Sequence, residues 1–457
     1  MKYITSAILI VLSFGTKAQS LYFPPINGNE WQTLSPASLG WCEERIDSLY
    51  DVLEENNTKA FIVLKDGKII LEKYFGTFQQ DSVWYWASAG KSLTACLVGI
   101  AQQEGFLSIE DTTSTYLGEG WTACTPDQEE KITIRHQLTM TSGLDDNVPE
   151  NYCTLDTCLV YKADAGTRWA YHNGPYTLLD GVVEAATGLS LNNYFQQKLR
   201  LTTGINGIFL PSGYNNVFFS KPRSMARFGL LILNQGNWNG NQILTDPVFF
   251  NNMVNTSQDL NKSYGYLWWL NGKQSYMVPG VQFVFPGSLM PHAPDDMISA
   301  LGKDGQYVDV VPSQNIVLIR MGNAPGEGEV PLTLNDLIWE HMNGLACGTT
   351  STDDIDTVIA PGNVFPNPAI DQCTVSMPGQ YFDLAVYSLN GQKLLHQNVC
   401  YDHTTVANEW GSGVYLLKLT ASDGRKIVQE IDFPKIVTDF YLLLKTAYMT
   451  LLSSCLL

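Results

Sequence analysis

The sequence predicts an α/β chain of the α+β type: an antiparallel sheet flanked by helices, a helical subdomain inserted in it, and a small C-terminal β-sandwich. Three observations carry this. Strand-like runs at 61–64 and 69–75 are answered by three more at 297–302, 306–311 and 316–321, so one sheet is assembled from both ends of a long region. Helix-period apolar patterns dominate the stretch between them. Beyond residue 345 the composition changes: Gly348-Thr-Thr-Ser-Thr-Asp-Asp354 has no apolar period, and alternating runs then recur around the turn signals Asn390-Gly391 and Asp423-Gly424.

Charge and the chain ends bound the context. Residues 1–18 carry Lys2, an apolar run from Ala7 to Phe14, and Thr16-Lys17-Ala18 before Gln19, which reads as a signal peptide. A net charge of −18 on 457 residues, with no basic block, argues against nucleic acid as a partner. Nine cysteines in an exported chain permit disulfides and leave at least one unpaired. Cys153 and Cys158 are close enough for a small loop, Cys42 and Cys347 flank the first large region, and Cys373 and Cys400 fall together near the C-terminus. Cys96 reads as a core residue, and no Cys or His spacing resembles a zinc site, so neither metal nor cofactor is expected.

The elements follow in order. Ser38 to Asn56 has the apolar spacing of an amphipathic helix, and Lys65-Asp-Gly-Lys68 is a hairpin turn between the first two strands. Pro175 suits the first turn of a helix whose buried face is Leu178, Leu179, Val182 and Val183, with Gly188 as its stop. Arg223 to Asn234 forms another helix, Tyr264-Gly-Tyr-Leu-Trp-Trp269 is strand or pocket wall, and Leu332 to Met342 is a closing helix. The organisation expected is a leader at 1–18, a main domain at 19–345, a linker at 346–362, the sandwich at 363–435 and an apolar tail at 436–457.

The chemistry centres on Ser88-Ala-Gly-Lys91, the sole Ser-x-x-Lys in the chain, which opens a helical run through Leu93, Leu97 and Ile100. That spacing puts Lys91 one turn above Ser88. A serine hydroxyl needs a base within hydrogen-bond reach, and a lysine serves when its surroundings weaken its hold on the proton. The helix start adds a field that favours an oxyanion. The ordinary alternative makes Ser88 a helix cap and Lys91 a solvated side chain. A Ser/Lys pair also needs a second proton carrier and a cation or donor for the substrate. Tyr171-His-Asn173 and Lys303-Asp-Gly305 are of the right type. Each has a double: Lys65-Asp-Gly67, explained by its hairpin, and Tyr214-Asn-Asn216, a candidate pocket residue in a polar loop.

The ordered set Ser88-x-x-Lys91, Tyr171-x-Asn173 and Lys303-x-Gly305 resembles the serine β-lactamase and penicillin-binding-protein superfamily, most nearly the branch of class C β-lactamases, D-aminopeptidases and esterases. The resemblance spans about residues 35–343 and implies a β-lactamase-like fold. It implies that Ser88 forms an acyl-enzyme, that Lys91 and Tyr171 share the proton traffic, and that Asn173 orients Lys91 and the substrate. Lys303 would hold Tyr171 in a positive field or bind a substrate carboxylate, and the backbone N–H groups of Ser88 and Gln306 would receive the oxyanion. Two residues depart from the pattern. His172 stands where small residues are common and is expected to narrow the pocket. Gln306 stands where β-lactamases carry a small residue, and its side chain is expected to crowd a β-lactam and favour small ester or amide substrates.

The second region, through Val364-Phe-Pro-Asn-Pro368, Val386-Tyr-Ser-Leu-Asn-Gly-Gln392 and Gly413-Val-Tyr-Leu416, resembles the C-terminal sorting domain of type IX secretion. That implies engagement of the secretion machinery and delivery to the cell surface or medium. Three functions stay open: an exported ester or amide hydrolase, a β-lactamase or D-Ala peptidase, and an inactive surface binding module.

Overall fold

The computed structural model describes residues 21–325, 330–347, 363–367, 369, 371–388, 393–421 and 426–433. The expected signal peptide, most of the linker and the apolar tail lie outside the described residues. The chain divides after residue 348 into two compact units.

In the first unit, α1 (Glu43–Glu55) buries Ile46, Leu49 and Leu53. The single helix expected from Ser38 is two elements, because Gly40 at φ 69° closes a short 3-10 turn, Pro36–Leu39, before α1 begins. Strands β1 (Thr58–Lys65) and β2 (Lys68–Tyr74) form the expected hairpin, with Asp66 and Gly67 both at positive φ in its turn. Helix α2 (Gly90–Gln103) is buried continuously from Gly90 to Ala101, as a helix apolar on every side must be. It packs on α3 (Asn173–Thr187), which Gly188 ends at φ 70°. The hairpin β3 (Gly207–Ser212) and β4 (Asn215–Ser220) leads into α4 (Pro222–Leu233).

The sheet is completed by β5 (Trp269–Leu270), β6 (Ile298–Gly302), β7 (Gln306–Val311) and β8 (Ile316–Gly322), in the antiparallel order β2-β1-β8-β7-β6-β5. Ile62 pairs with Ile319, so the two ends of the unit meet in mid-sheet as the separated strand patterns predict. Helix α4 lies on this sheet, and at Gly229 a Cβ would stand 2.4 Å from Val317 Cγ1, an approach only glycine permits. Helix α5 (Leu332–Asn343) closes against α1.

Disulfides join Cys42 to Cys347 and Cys153 to Cys158. The first ties the ends of the unit and so restricts its unfolded chain. Cys96 is a buried free thiol, and Cys373 and Cys400 are also free.

The second unit is a five-stranded antiparallel sheet of β9 (Asn363–Phe365), β10 (Gln372–Ser388), β11 (Lys393–Ala407), β12 (Gly413–Ala421) and β13 (Lys426–Phe433). The long β10 pairs with β11 throughout, while its other edge takes β9 first and β12 later. Register breaks along β10 curl the sheet around Val375, Phe382, Leu384, Val386, Leu417 and Ile431. The small C-terminal β domain expected as a sandwich is thus formed by one sheet curled over its own core.

Candidate active site

The site is built where α2 begins. The Trp86 backbone N–H donates to Phe218 O at 2.8 Å, and its indole Nε1 donates to Ser220 Oγ at 2.8 Å. Ala87 then adopts φ 47°, a left-handed conformation unusual for a residue with a Cβ. The chain turns there, so that Ser88 stands in a 3-10 turn leading directly into α2. Ser92 Oγ, on the same helix, donates to Leu267 O at 2.6 Å and anchors its first turn.

Lys91 Nζ donates to Ser88 Oγ at 2.8 Å. The lysine is almost completely buried, with its nitrogen 4.2 Å from the Tyr176 ring centre and 5.1 Å from that of Tyr171. The ordinary reading of a solvated lysine is thereby excluded. Tyr171 stacks on Trp269 with centroids 5.8 Å apart, and Tyr264 meets both rings edge-on. The aromatic run 264–269 is therefore a wall of this site, with only its last residue in a strand.

Asp180 lies on α3 one turn beyond Tyr176. Its Oδ2 accepts from Asn216 Nδ2 at 3.0 Å and its Oδ1 from Thr94 Oγ1 at 3.4 Å. Burial pushes its carboxyl up to about 7, against the opposing pull of these two donors and of Lys91. Neither Tyr176 nor Asp180 stands out in the motif pattern. The available signal was a carboxylate on the helical face of Leu179, Val182 and Val183.

Asn173 has a different partner from the one expected. Its backbone N–H and its Nδ2 both donate to Asn151 Oδ1, at 3.1 and 2.8 Å, and its own Oδ1 is buried without a hydrogen-bond partner. The amide is thus positioned by Asn151, and Lys91 makes no hydrogen bond to its oxygen. His172 is buried with both ring nitrogens unpartnered, and burial lowers its pKa to about 4, so the ring is neutral at ordinary pH.

Lys303-Asp-Gly305 is the turn joining β6 to β7, with Asp304 at φ 63° and Gly305 at φ 78°. Buried Arg320 holds this turn from below, donating from Nη1 to Gly305 O at 2.6 Å and to Asp304 O at 3.0 Å. A Cβ on Gly305 would fall 2.2 Å from Arg320 Nη1, which explains the glycine. Burial draws the Arg320 guanidinium down to about 10. The Tyr85 hydroxyl donates to the Asp304 carboxylate, tying the turn to the strand that precedes Ser88. Lys303 is exposed.

The residue that abuts the Ser88 turn is Gly302. A Cβ there would stand 2.4 Å from Trp86 O and 3.0 Å from Ala89 N. Gln306 faces Gly302 across the hairpin, and its side chain is fully buried. Its Nε2 donates to Gly322 O at 2.7 Å and to Lys303 O at 3.2 Å, while its Oε1 accepts from Gly322 N at 3.1 Å. The expectation that this side chain crowds the acyl pocket is therefore corrected: it is committed to backbone groups of the sheet. Tyr214 sits in the exposed turn between β3 and β4.

The β-lactamase family model matches residues 53–343, well over half of the chain. The chain belongs to the β-lactamase family. Members of that family are serine hydrolases, and residues 363–431 match the secretion-system C-terminal sorting domain. The sorting domain directs this β-lactamase-family chain through the type IX system to the cell surface or the extracellular space. An uncharacterized protein of Alkalihalophilus pseudofirmus is 24% identical over 309 residues, covering 59% of this chain and 85% of its own. A candidate 6-aminohexanoate-dimer hydrolase from Bacillus anthracis superposes with a TM-score of 0.52 at 18% identity, over 71% of this chain and 91% of its own. A family VIII carboxylesterase superposes with a TM-score of 0.50 at 14% identity, over 66% of this chain and 98% of its own.

Proposed function

We propose that the chain is an exported hydrolase that cleaves an ester or amide of a small molecule or short peptide through an acyl-enzyme on Ser88. The observation that carries this reading is the 2.8 Å contact between Lys91 Nζ and Ser88 Oγ inside an aromatic enclosure that keeps water from the lysine. Ser88 Oγ attacks the substrate carbonyl as its proton passes to neutral Lys91. The oxyanion is met by the backbone N–H of Ser88 and by backbone N–H groups of the 302–306 hairpin. Tyr171 carries the proton onward to the leaving alcohol or amine, and Asn173, held by Asn151, opens the helix that follows it. Water then cleaves the acyl-enzyme by the reverse proton path.

A second reading, in which a β-lactam or D-Ala peptide is the substrate, is supported by exposed Lys303, a cation suited to a substrate carboxylate at the tip of the hairpin. Gln306 no longer discriminates between the two. An inactive binding module fits less well with Ser88, Lys91 and Tyr171 all in place.

A fluorophosphonate probe should add its phosphonyl mass to the intact protein at Ser88 and leave Ser88→Ala untouched. Equal labelling of the alanine variant would end the acyl-enzyme reading. Mass spectra taken during exposure to an ester, a D-amino-acid amide and a cephalosporin separate the substrate classes by which one leaves an adduct.

A further inference from the structure

Helices α2 and α3 face each other with their functional side chains in two layers. In the upper layer, Lys91 Nζ of α2 lies over the Tyr176 ring of α3 at 4.2 Å. One turn further along each helix, Thr94 of α2 meets Asp180 of α3. Lys91 and Thr94 are one turn apart on α2, as Tyr176 and Asp180 are on α3, so the Asp180 carboxyl lies one layer below the lysine with Tyr176 and Thr94 packed between them. Asn216, reaching in from β4, supplies the remaining donor to that carboxyl.

We infer that Asp180 is a positioning residue that governs how firmly Lys91 holds its proton, and thereby the pH at which Ser88 becomes a competent nucleophile. This rests on the acyl-enzyme reading of Ser88 and Lys91 given above. A carboxylate is a costly group to bury, and this one is buried with two neutral hydrogen-bond donors, Thr94 and Asn216. Among the described residues Lys91 is the cation that acts on this carboxyl, and the field between them passes through low-dielectric packing where it is weakly screened. Other titratable groups around this pair are Glu184, one turn beyond Asp180 on α3, and the phenols of Tyr171, Tyr176 and Tyr264.

The sign follows directly. An ionised Asp180 favours the ammonium form of Lys91, whereas the general base must be the amine. Because burial brings the carboxyl up to about 7, its own ionisation falls within the working range and couples to that of the lysine. With Asp180 neutral, Lys91 releases its proton at lower pH. Ser88 is then activated under more acidic conditions.

The test is the pH profile of second-order acylation of Ser88 by a neutral p-nitrophenyl ester, in the wild type and in Asp180→Asn. Asparagine keeps the shape and can still accept from Asn216 while donating to Thr94. Its acidic limb should move to lower pH by roughly one unit. Asn216→Ala, which removes a donor that favours the carboxylate, should move the limb in the same direction by a smaller amount, and it keeps the test available should Asp180→Asn fail to fold. A merely structural role would scale the rate equally at every pH. Profiles of both variants that superpose on the wild type after scaling would overturn the inference while leaving Ser88 acylation intact. A wild type that is not acylated at any pH would instead sink the hydrolase reading on which it rests.

Discussion

The Gln306 carboxamide clasps the backbone of Gly322 from both sides, donating to its carbonyl at 2.7 Å and accepting from its N–H at 3.1 Å. Trp84 Nε1 adds a donor to the same carbonyl at 3.2 Å. The clasp closes the end of the β7–β8 pair, where the ladder runs out, and it commits the side-chain amide of Gln306 to the sheet.

Gln306→Ser should accordingly cost stability without changing substrate preference. Leaving the buried N–H of Gly322 without the Gln306 acceptor is worth about 1–3 kcal/mol, read as a lower urea midpoint at unchanged slope. The ratio of kcat/KM for an ester to that for a cephalosporin should stay within about twofold of the wild type, since the acyl pocket is untouched. A ratio that moves tenfold toward the cephalosporin with stability intact would return Gln306 to the pocket.

Lys91→Ala and Tyr171→Phe should each slow acylation by at least about 10²-fold, the usual scale for removing a group that moves a proton in the transition state. Single-turnover acylation monitored by rapid quench isolates this step from turnover. Near-normal rates in Lys91→Ala would remove that lysine from the mechanism.

His172 predicts an acid-side loss of stability. Burial holds its folded pKa near about 4, against 6.5 for the free ring. As pH falls from 6.5 toward 4, the unfolded chain binds this proton and the folded one does not, so stability drops as pH decreases, by on the order of 2–3 kcal/mol at pH ~4.5. The raised carboxyl of Asp180 acts with the opposite sign, favouring the folded state as pH falls from 7. Comparison with His172→Phe isolates the histidine: the variant should gain on the wild type between pH ~7.5 and ~4.5 in urea titrations. A difference that does not change with pH would mean the ring finds a partner when protonated.

Deleting everything after residue 362 should leave a folded hydrolase unit that is exported from the cytoplasm and retained in the periplasm. The disulfide between Cys42 and Cys347 lies wholly within the retained part and closes its ends. Immunoblots of surface, medium and periplasmic fractions decide the matter. Normal amounts of the truncated chain at the surface would contradict the sorting role.

What the sequence determined by itself was whatever depends on short range or on pattern. Ser88 and Lys91 are three residues apart, and helical geometry alone brings them together once the apolar run after them forms a helix. The hairpin at Asp66-Gly67, the stop at Gly188, and the Cys42 and Cys347 pair at the borders of one region were legible for similar reasons. The one sheet built from two distant sets of strands followed from periodicity, because each set is too small to bury its own faces; its likeness to β-lactamases came from the ordered motifs at Ser88, Tyr171 and Lys303.

Only the tertiary structure decided where side chains at the ends of elements point. Gln306 follows a turn whose shape is set by Arg320, and its amide goes to Gly322 because the ladder leaves that backbone open. Asn173 turns to Asn151, a loop residue 22 positions away that no local pattern singles out. Tyr176 and Asp180 become part of the site through the packing of α3 on α2, which places them beside Lys91 and Thr94. Periodicity says which face of a helix is buried. It does not say which polar group will meet which across the interface, because that depends on the axial offset of two helices whose sequences lie some eighty residues apart, as Thr94 and Asp180 do at a separation of 86.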